Sequence, residues 1–322
     1  MKRILTAVIA AQTMVSGCAI RPLPEEVTGV DTFGIVNQIR CEMRQSIRNT
    51  LVDYLTGGEG VDDPSRQIGR QLKASPDEIT RFSPSALTGN ARKLVSLFWS
   101  SGIAYNFELD MKLDNQLSAS TSFLDKFPAR LFELGVDASL DRSRQNTREF
   151  TVTDKVDNLI AHPPYGGCRG KIVGPNYIYP IAGQIGVEGM LHNFVYLSLL
   201  GNLAAKKDAT GSAPTITETL NFETTISGTA SPKVVFNPLP ERSFRLAEAG
   251  LVAETKRIDT HKVIIGLSIP ESANSDFRDA RGQYEGQFLS ATGDPTSLNA
   301  ARAVDRSIAR KAFQTVVHIN TN

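Results

Sequence analysis

The chain of 322 residues is poor in the residue types that usually announce an activity. It has three cysteines, four histidines and a single tryptophan. It contains no C-x-x-C pair, no H-E-x-x-H helix, no Walker-type phosphate loop and no G-x-S-x-G elbow. Charge of one sign is lacking too: 35 basic residues stand against 34 acidic ones, with no lysine–arginine run. That balance argues against nucleic acid as a partner. Long apolar runs are also absent near the start, where Ile4–Val15 is too short for the roughly 20 residues of a spanning helix. With 41% hydrophobic residues and no low-complexity tract, the chain nevertheless has the composition of a folded protein.

The beginning of the chain is more informative. Met1-Lys2-Arg3 is basic, Ile4 to Val15 is mostly apolar, and Val15-Ser16-Gly17-Cys18 follows. This order fits a secretory signal, and the last four residues resemble the lipobox of bacterial lipoproteins. The resemblance covers residues 1–18 only. It implies removal of residues 1–17 and attachment of acyl chains such as palmitate to Cys18. Two or three chains on one residue hold a protein at a membrane, whereas one chain binds only marginally. Ala19 replaces the aspartate that retains enterobacterial lipoproteins in the inner membrane. The expected location is therefore the cell envelope, lipid-anchored, at the outer membrane and facing the periplasm.

Once Cys18 is assigned to lipid, Cys41 and Cys168 remain as a pair in an oxidising compartment. A disulfide between them is expected, the alternative being two buried reduced thiols. Residues 18–30, with Pro22, Pro24 and two glutamates, read as a tether, and residues 31–322 as a single α+β domain.

Within that domain, Val36, Ile39, Met43, Ile47, Leu51 and Tyr54 recur at helical spacing after a cap at Asp31 or Thr32. Ser75-Pro76-Asp77-Glu78 looks like a helix start, and a further helical piece is expected over 85–100. The strongest pattern is the unbroken alternation of Ile103, Tyr105, Phe107, Leu109, Met111 and Leu113 with polar residues. The run Phe132, Leu134, Val136, Ala138 and Leu140 opposes it, so 103–153 reads as a long antiparallel hairpin. A Thr-rich strand follows over 215–227. Residues 244–253 and 262–269 read as another hairpin, 188–205 as a buried helix, and 296–316 as a terminal helix. The expected fold is α+β: an antiparallel sheet or sandwich of long strands packed with N- and C-terminal helices.

Residues 161–186 hold six glycines and four prolines around Cys168. Long loops of this kind are often functional. Tyr165, Tyr177 and Tyr179 are candidates for a binding surface, the other reading being a structural crossover pinned by the disulfide. His162, His192, His261 and His318 are scattered singly, and Asp110 and Asp114 flank Lys112 on the wet side of a strand. Neither pattern argues for catalysis. No catalytic residue, metal ligand or cofactor is expected, and the chain reads as a non-enzyme.

Two functions remain in view. The first is a lipid-anchored envelope protein with a structural or binding role, touching the membrane through Cys18 and an envelope protein as partner. The second is a subunit of an oligomeric β-barrel or of a secretion or export assembly in the outer membrane. For the second, the eleven residues of 103–113 are within reach of a membrane-crossing strand. About six strand candidates are too few for a one-chain barrel.

Overall fold

Period-two alternation dominates the architecture. In the computed structural model, which describes residues 21–127, 130–170, 174–201, 203, 214–231, 233–235 and 245–269, it produces strands of unusual length. Strand β1 is Gly102–Phe127 and β2 is Arg130–Lys155. Strand β3 is Thr215–Ala230, β4 the short Lys233–Val235, and β5 Arg245–Ser268. They form one sheet in the order β2-β1-β5-β3, with β4 also paired to β5. A 26-residue strand is about 85 Å long at the usual rise. The fold is α+β.

Helices flank the strands in sequence. They are α1 (Glu25–Thr28), α2 (Thr32–Gly57), α3 (Asp63–Ala74), α4 (Gly89–Trp99), α5 (Val156–Ala161) and α6 (Val187–Leu199). Each of the longer ones follows from its pattern. On α2, Ile35, Ile39, Met43 and Leu55 are fully buried at helical spacing. Helix α3 opens on Asp62, whose carboxylate accepts the Ser65 N–H at 2.9 Å, with Pro64 in the first turn. The helix start expected at Ser75 is a 3-10 turn, Pro76–Arg81.

The described chain divides into two compact units. A helical unit contains Thr32–Glu108, Glu149–Phe222 and residues 261–269; a hairpin unit contains residues 21–31, Leu109–Arg148 and Glu223–Thr260. Strands run from one into the other.

Three expectations change. Residues 244–253 and 262–269 are not two strands of a hairpin but parts of the single strand β5. The polar stretch between them stays in the strand because Arg257 and Asp259, both buried, pair with each other at 2.9 Å. Arg257 also donates to Glu26 and to the Leu23 carbonyl, each at 2.7 Å. By the same contacts, the segment read as a tether is docked on its own unit from Pro22 to Glu26, where Asn146 donates to the Pro22 carbonyl at 2.9 Å. The buried helix expected over 188–205 ends at Leu199. Residues 1–17, the lipidation site Cys18 and the helix expected over 296–316 lie outside the described residues.

Candidate functional site

Two parts of the molecule carry candidate sites, and each is built within one unit. The first is the Gly/Pro-rich loop of the helical unit. Cys41 of α2 and Cys168 of the loop are bonded, with Cα atoms 5.3 Å apart and a sequence separation of 127. The loop is further held by Glu42, the residue beside Cys41. Its carboxylate is 2% exposed and accepts the backbone N–H groups of Ile185, Gly186 and Val187 at 2.7–3.1 Å. Those donors are the otherwise unpaired start of α6, whose own N-cap, Gly186, brings no side chain. An anion from a distant helix thus completes the α6 terminus, where the helix dipole favours negative charge. Arg44 donates to the Ile160 carbonyl at 3.1 Å, and Arg40 holds the buried Asp154 at 2.7 Å. The hydrogen bond to Asp154 raises the Arg40 pKa further above its ordinary value.

The three tyrosines do not form one surface. Tyr165 and Tyr177 are 82% and 89% exposed, and Tyr165 leans on Phe33 with ring centroids 6.1 Å apart. Tyr179 is a correction: it is buried, and its hydroxyl is hydrogen-bonded to His261 of β5. Asn176 accepts the N–H groups of Ile178 and Tyr179, so the backbone turn there is fixed locally. The loop is therefore stapled and capped from α2, and its Tyr179 is buried against β5, as in a structural crossover. The same unit holds an apolar cleft of about 110 Å³ lined by Leu51, Leu94, Phe98, Trp99, Leu191 and Phe194 among others. Among the described residues, no group of three histidine, cysteine or acidic side chains is placed to hold a metal ion.

The second candidate is the sheet of the hairpin unit. Side-chain pairs fix its register. Asn106 and Thr151 meet at 3.1 Å and Asp110 and Thr147 at 3.3 Å across β1 and β2. Lys262 reaches Glu108 and Thr255 reaches Asn115 across β5 and β1. Thr215 meets Ser268 at 3.0 Å across β3 and β5. These pairings place odd-numbered residues of β1 and β5 on one face with even-numbered residues of β2 and β3.

On that face Leu109, Met111, Arg257 and Asp259 are buried, but four large apolar side chains farther along the strands are out in the open. Leu117, Leu140, Leu251 and Ile226, one from each long strand, are 40–43% exposed. The register sets Leu117 opposite Leu140. In sequence the same phase of β2 reads Phe132, Leu134, Val136, Ala138, Leu140, then Arg142, Arg144 and, after Asn146, Arg148. On β5 it reads Ala247, Ala249, Leu251, Ala253. The opposite face is polar and charged. Lys112 and Asp114 pair there at 3.1 Å, and Asp110 accepts from Gln145 at 2.7 Å. Hydrogen bonds from Ser143 and Lys112 hold the Asp114 carboxyl below its ordinary pKa. Asp110 and Asp114 are thus tied to neighbours on a wet sheet surface. Residues of all four long strands, including Lys112, Asp141, Ser227 and Glu254, line one polar concavity of about 580 Å³.

A family model described as uncharacterised protein y4kA matches residues 21–320. The uncharacterised protein y4kA of Sinorhizobium fredii (strain NBRC 101917 / NGR234) is 31% identical over 271 residues, 82% of each chain. Among solved structures, the InvG secretin domain β-barrel of the Salmonella SPI-1 injectisome is 7% identical, covering 65% of this chain and 69% of that one, with a TM-score of 0.21. The open-gate InvG secretin (residues 176-end) gives a TM-score of 0.16 at 7% identity, over 64% and 70%. Scores this low carry no inference about architecture or task. The family is settled by the sequence matches: the chain belongs to the y4kA family.

Proposed function

We propose that the protein is a lipid-anchored envelope protein, held through Cys18, whose two long hairpins supply part of the wall of an oligomeric β-barrel in the outer membrane. One observation carries this reading. The hairpin unit presents an antiparallel sheet on which Leu117, Leu140, Ile226 and Leu251 are exposed on one face, while the other face is polar. A soluble sheet normally covers its apolar face with helices or a second sheet. Contiguous exposed apolar surface marks a membrane or partner contact.

The dimensions support lipid as the cover. In sequence, five successive even-numbered positions of β2, 132–140, are apolar, a band of nine residues. Membrane-crossing strands need about 9–11 residues, tilted through an apolar band roughly 25 Å tall. The band is bracketed by Arg130 on one side and by Arg142, Arg144 and Arg148 on the other. Arginines at such positions reach headgroup phosphates while their stems lie along the apolar band. Four strands cannot close by themselves, because single-chain barrels have at least eight. Several copies are required.

The test uses the full-length protein made with its own leader. Palmitate labelling lost in Cys18→Ser identifies the anchor. Purified protein in vesicles of phosphatidylethanolamine and phosphatidylglycerol is then expected to give stepwise conductance in planar bilayers, abolished by Leu140→Arg. A monodisperse monomer that stays soluble without detergent once the anchor is removed, and that never conducts, overturns the barrel reading.

A further inference from the structure

Resting on the barrel reading, we infer that the ring closes through the two sheet edges that are unpaired among the described residues, β2 of one copy pairing antiparallel with β3 of the next copy of the same chain. The partner is thus a second copy, and the contact is head-to-tail.

Strand directions make this possible. β1 and β2 are antiparallel, β5 is antiparallel to β1, and β3 to β5, so the edges β2 and β3 run in opposite senses. Rotating a copy about an axis along the sheet brings its β3 beside β2 of its neighbour in antiparallel sense. The even number of long strands is what allows this; with an odd number the edges would meet parallel. The apolar phase also matches: even-numbered residues of both β2 and β3 lie outward, so the lipid-facing band continues across the junction without a flip. A two-fold pairing of β2 with β2 would join edges once and leave both β3 edges open, so it cannot build a ring.

The edges carry only part of the usual protection against pairing: β2 has arginine, aspartate and glutamate charges along it but no proline, and β3 has two glutamates alone. Proteins guard exposed edges with prolines, lysines, bulges or short strands. Edge β2 is 26 residues long and β3 is 16, and neither contains proline. Lysine occurs only as Lys155, the last residue of β2, and the charges of β3 are Glu218 and Glu223 alone. From 225 to 230 β3 is exposed at every position, as β2 is from 137 to 143. One proline, Pro232, falls between β3 and β4, beyond the stretch assigned to the junction.

Paired cysteines decide it. Double variants combine one of Ser139→Cys, Ser143→Cys or Gln145→Cys on β2 with one of Thr225→Cys, Ser227→Cys or Thr229→Cys on β3. They are reconstituted in the vesicles described above, oxidised, and read on non-reducing gels together with flotation of the vesicles. A disulfide needs Cα atoms within about 7 Å, and two strands stand between these edges in one chain. At least one pair is expected to yield a ladder of dimers, trimers and higher species, with at least tenfold more crosslinked product than either single variant. Dimers from a β2 cysteine alone overturn the head-to-tail junction, as does a disulfide that forms only within the chain. Floating, conducting protein with no ladder from any of the nine pairs also overturns it while leaving the barrel standing. Protein that neither floats nor conducts rejects the barrel, and a missing ladder then rejects the junction with it.

Discussion

The same period-two pattern has two fates in this molecule. In the helical unit, Ile103, Tyr105 and Phe107 of β1 are almost wholly buried, and burial pushes the Tyr105 hydroxyl well above its ordinary pKa. Phe107 stacks on Phe150 of the neighbouring strand at 5.1 Å. In the hairpin unit the same odd phase of the same strand stays buried through Leu109 and Met111, and beyond them Leu117 is exposed, as are Leu140 and Leu251. Alternation therefore reports only that a strand has a dry side. What supplies the dryness differs: helices in one unit, and by our proposal lipid in the other. The stability of the two units should then respond to quite different perturbations.

The largest effect is expected from the disulfide. Cys41→Ala with Cys168→Ala opens a loop whose ends are separated by 127 in sequence. Chain entropy alone puts the loss at about 4–5 kcal/mol, before any relief of native strain. Urea denaturation of the oxidised and variant proteins measures it. A loss confined to the helical unit, with the register of the hairpin unit unchanged by amide exchange, would sharpen the contrast. Next comes Glu42→Ala, which leaves three N–H groups of the α6 start without their acceptor in a buried place. About 3 kcal/mol is expected from unmet donors of this kind. Asp154→Asn breaks the pairing with Arg40. Because Arg40 remains partly exposed, its loss is set lower, at about 2 kcal/mol.

How much of this contrast could be read from the sequence depends on the range of the interaction. The β1–β2 hairpin was legible because alternation is local and the two runs face each other across a short turn. The polar run Glu254–His261 looked like a turn because nothing local shows that Arg257 will meet Asp259, Glu26 and the Leu23 carbonyl. Glu42 was missed for the same reason: its three partners lie more than 140 residues away. A signal did exist there, since Gly186-Val187-Glu188 starts a helix with no capping side chain of its own. Tyr179 was taken for a surface residue because a Gly/Pro-rich loop suggests exposure, but its hydroxyl partner His261 comes from a strand distant in sequence. The outward arginines beside the apolar band became meaningful only once the register put them on the same face as Leu140.

A smaller effect is set by pH. Hydrogen bonds from the Ser65 hydroxyl and backbone N–H, with another to Thr88, hold the Asp62 carboxyl below its ordinary pKa. A group depressed in the folded state stabilises above its unfolded pKa, near 4, and loses that contribution as pH falls through the lower folded value. Thermal melts of the wild type from pH 6 downward should therefore steepen below about pH 4. Asp62→Asn should remove part of that slope and leave the neutral-pH melt of the hairpin unit unaltered. Equal slopes in the two proteins would mean that the cap contributes nothing to acid sensitivity.

The smallest effect on folding is also the one that most sharply divides the exposed part of the hairpin unit's apolar phase from its buried part. Leu117→Ser, Leu140→Ser and Leu251→Ser alter side chains that are already 40–43% exposed. In detergent-free solution each should change stability by no more than about 0.5 kcal/mol, the usual range for surface positions. Leu109→Ser, on the same phase of β1 but buried, should cost several times more. Against vesicles the order reverses. In the anchor-free Cys18→Ser protein, the triple serine variant removes apolar surface from three adjacent strands, and its flotation should fall at least tenfold, an energetic change of about 1.4 kcal/mol. If the serine variants instead lose stability as Leu109→Ser does, the outward leucines belong to a protein core formed with another chain, and lipid is not what covers them. Unchanged stability with lost flotation is the pattern that a membrane-facing sheet requires, because its apolar side chains contribute only when hydrocarbon is present to receive them.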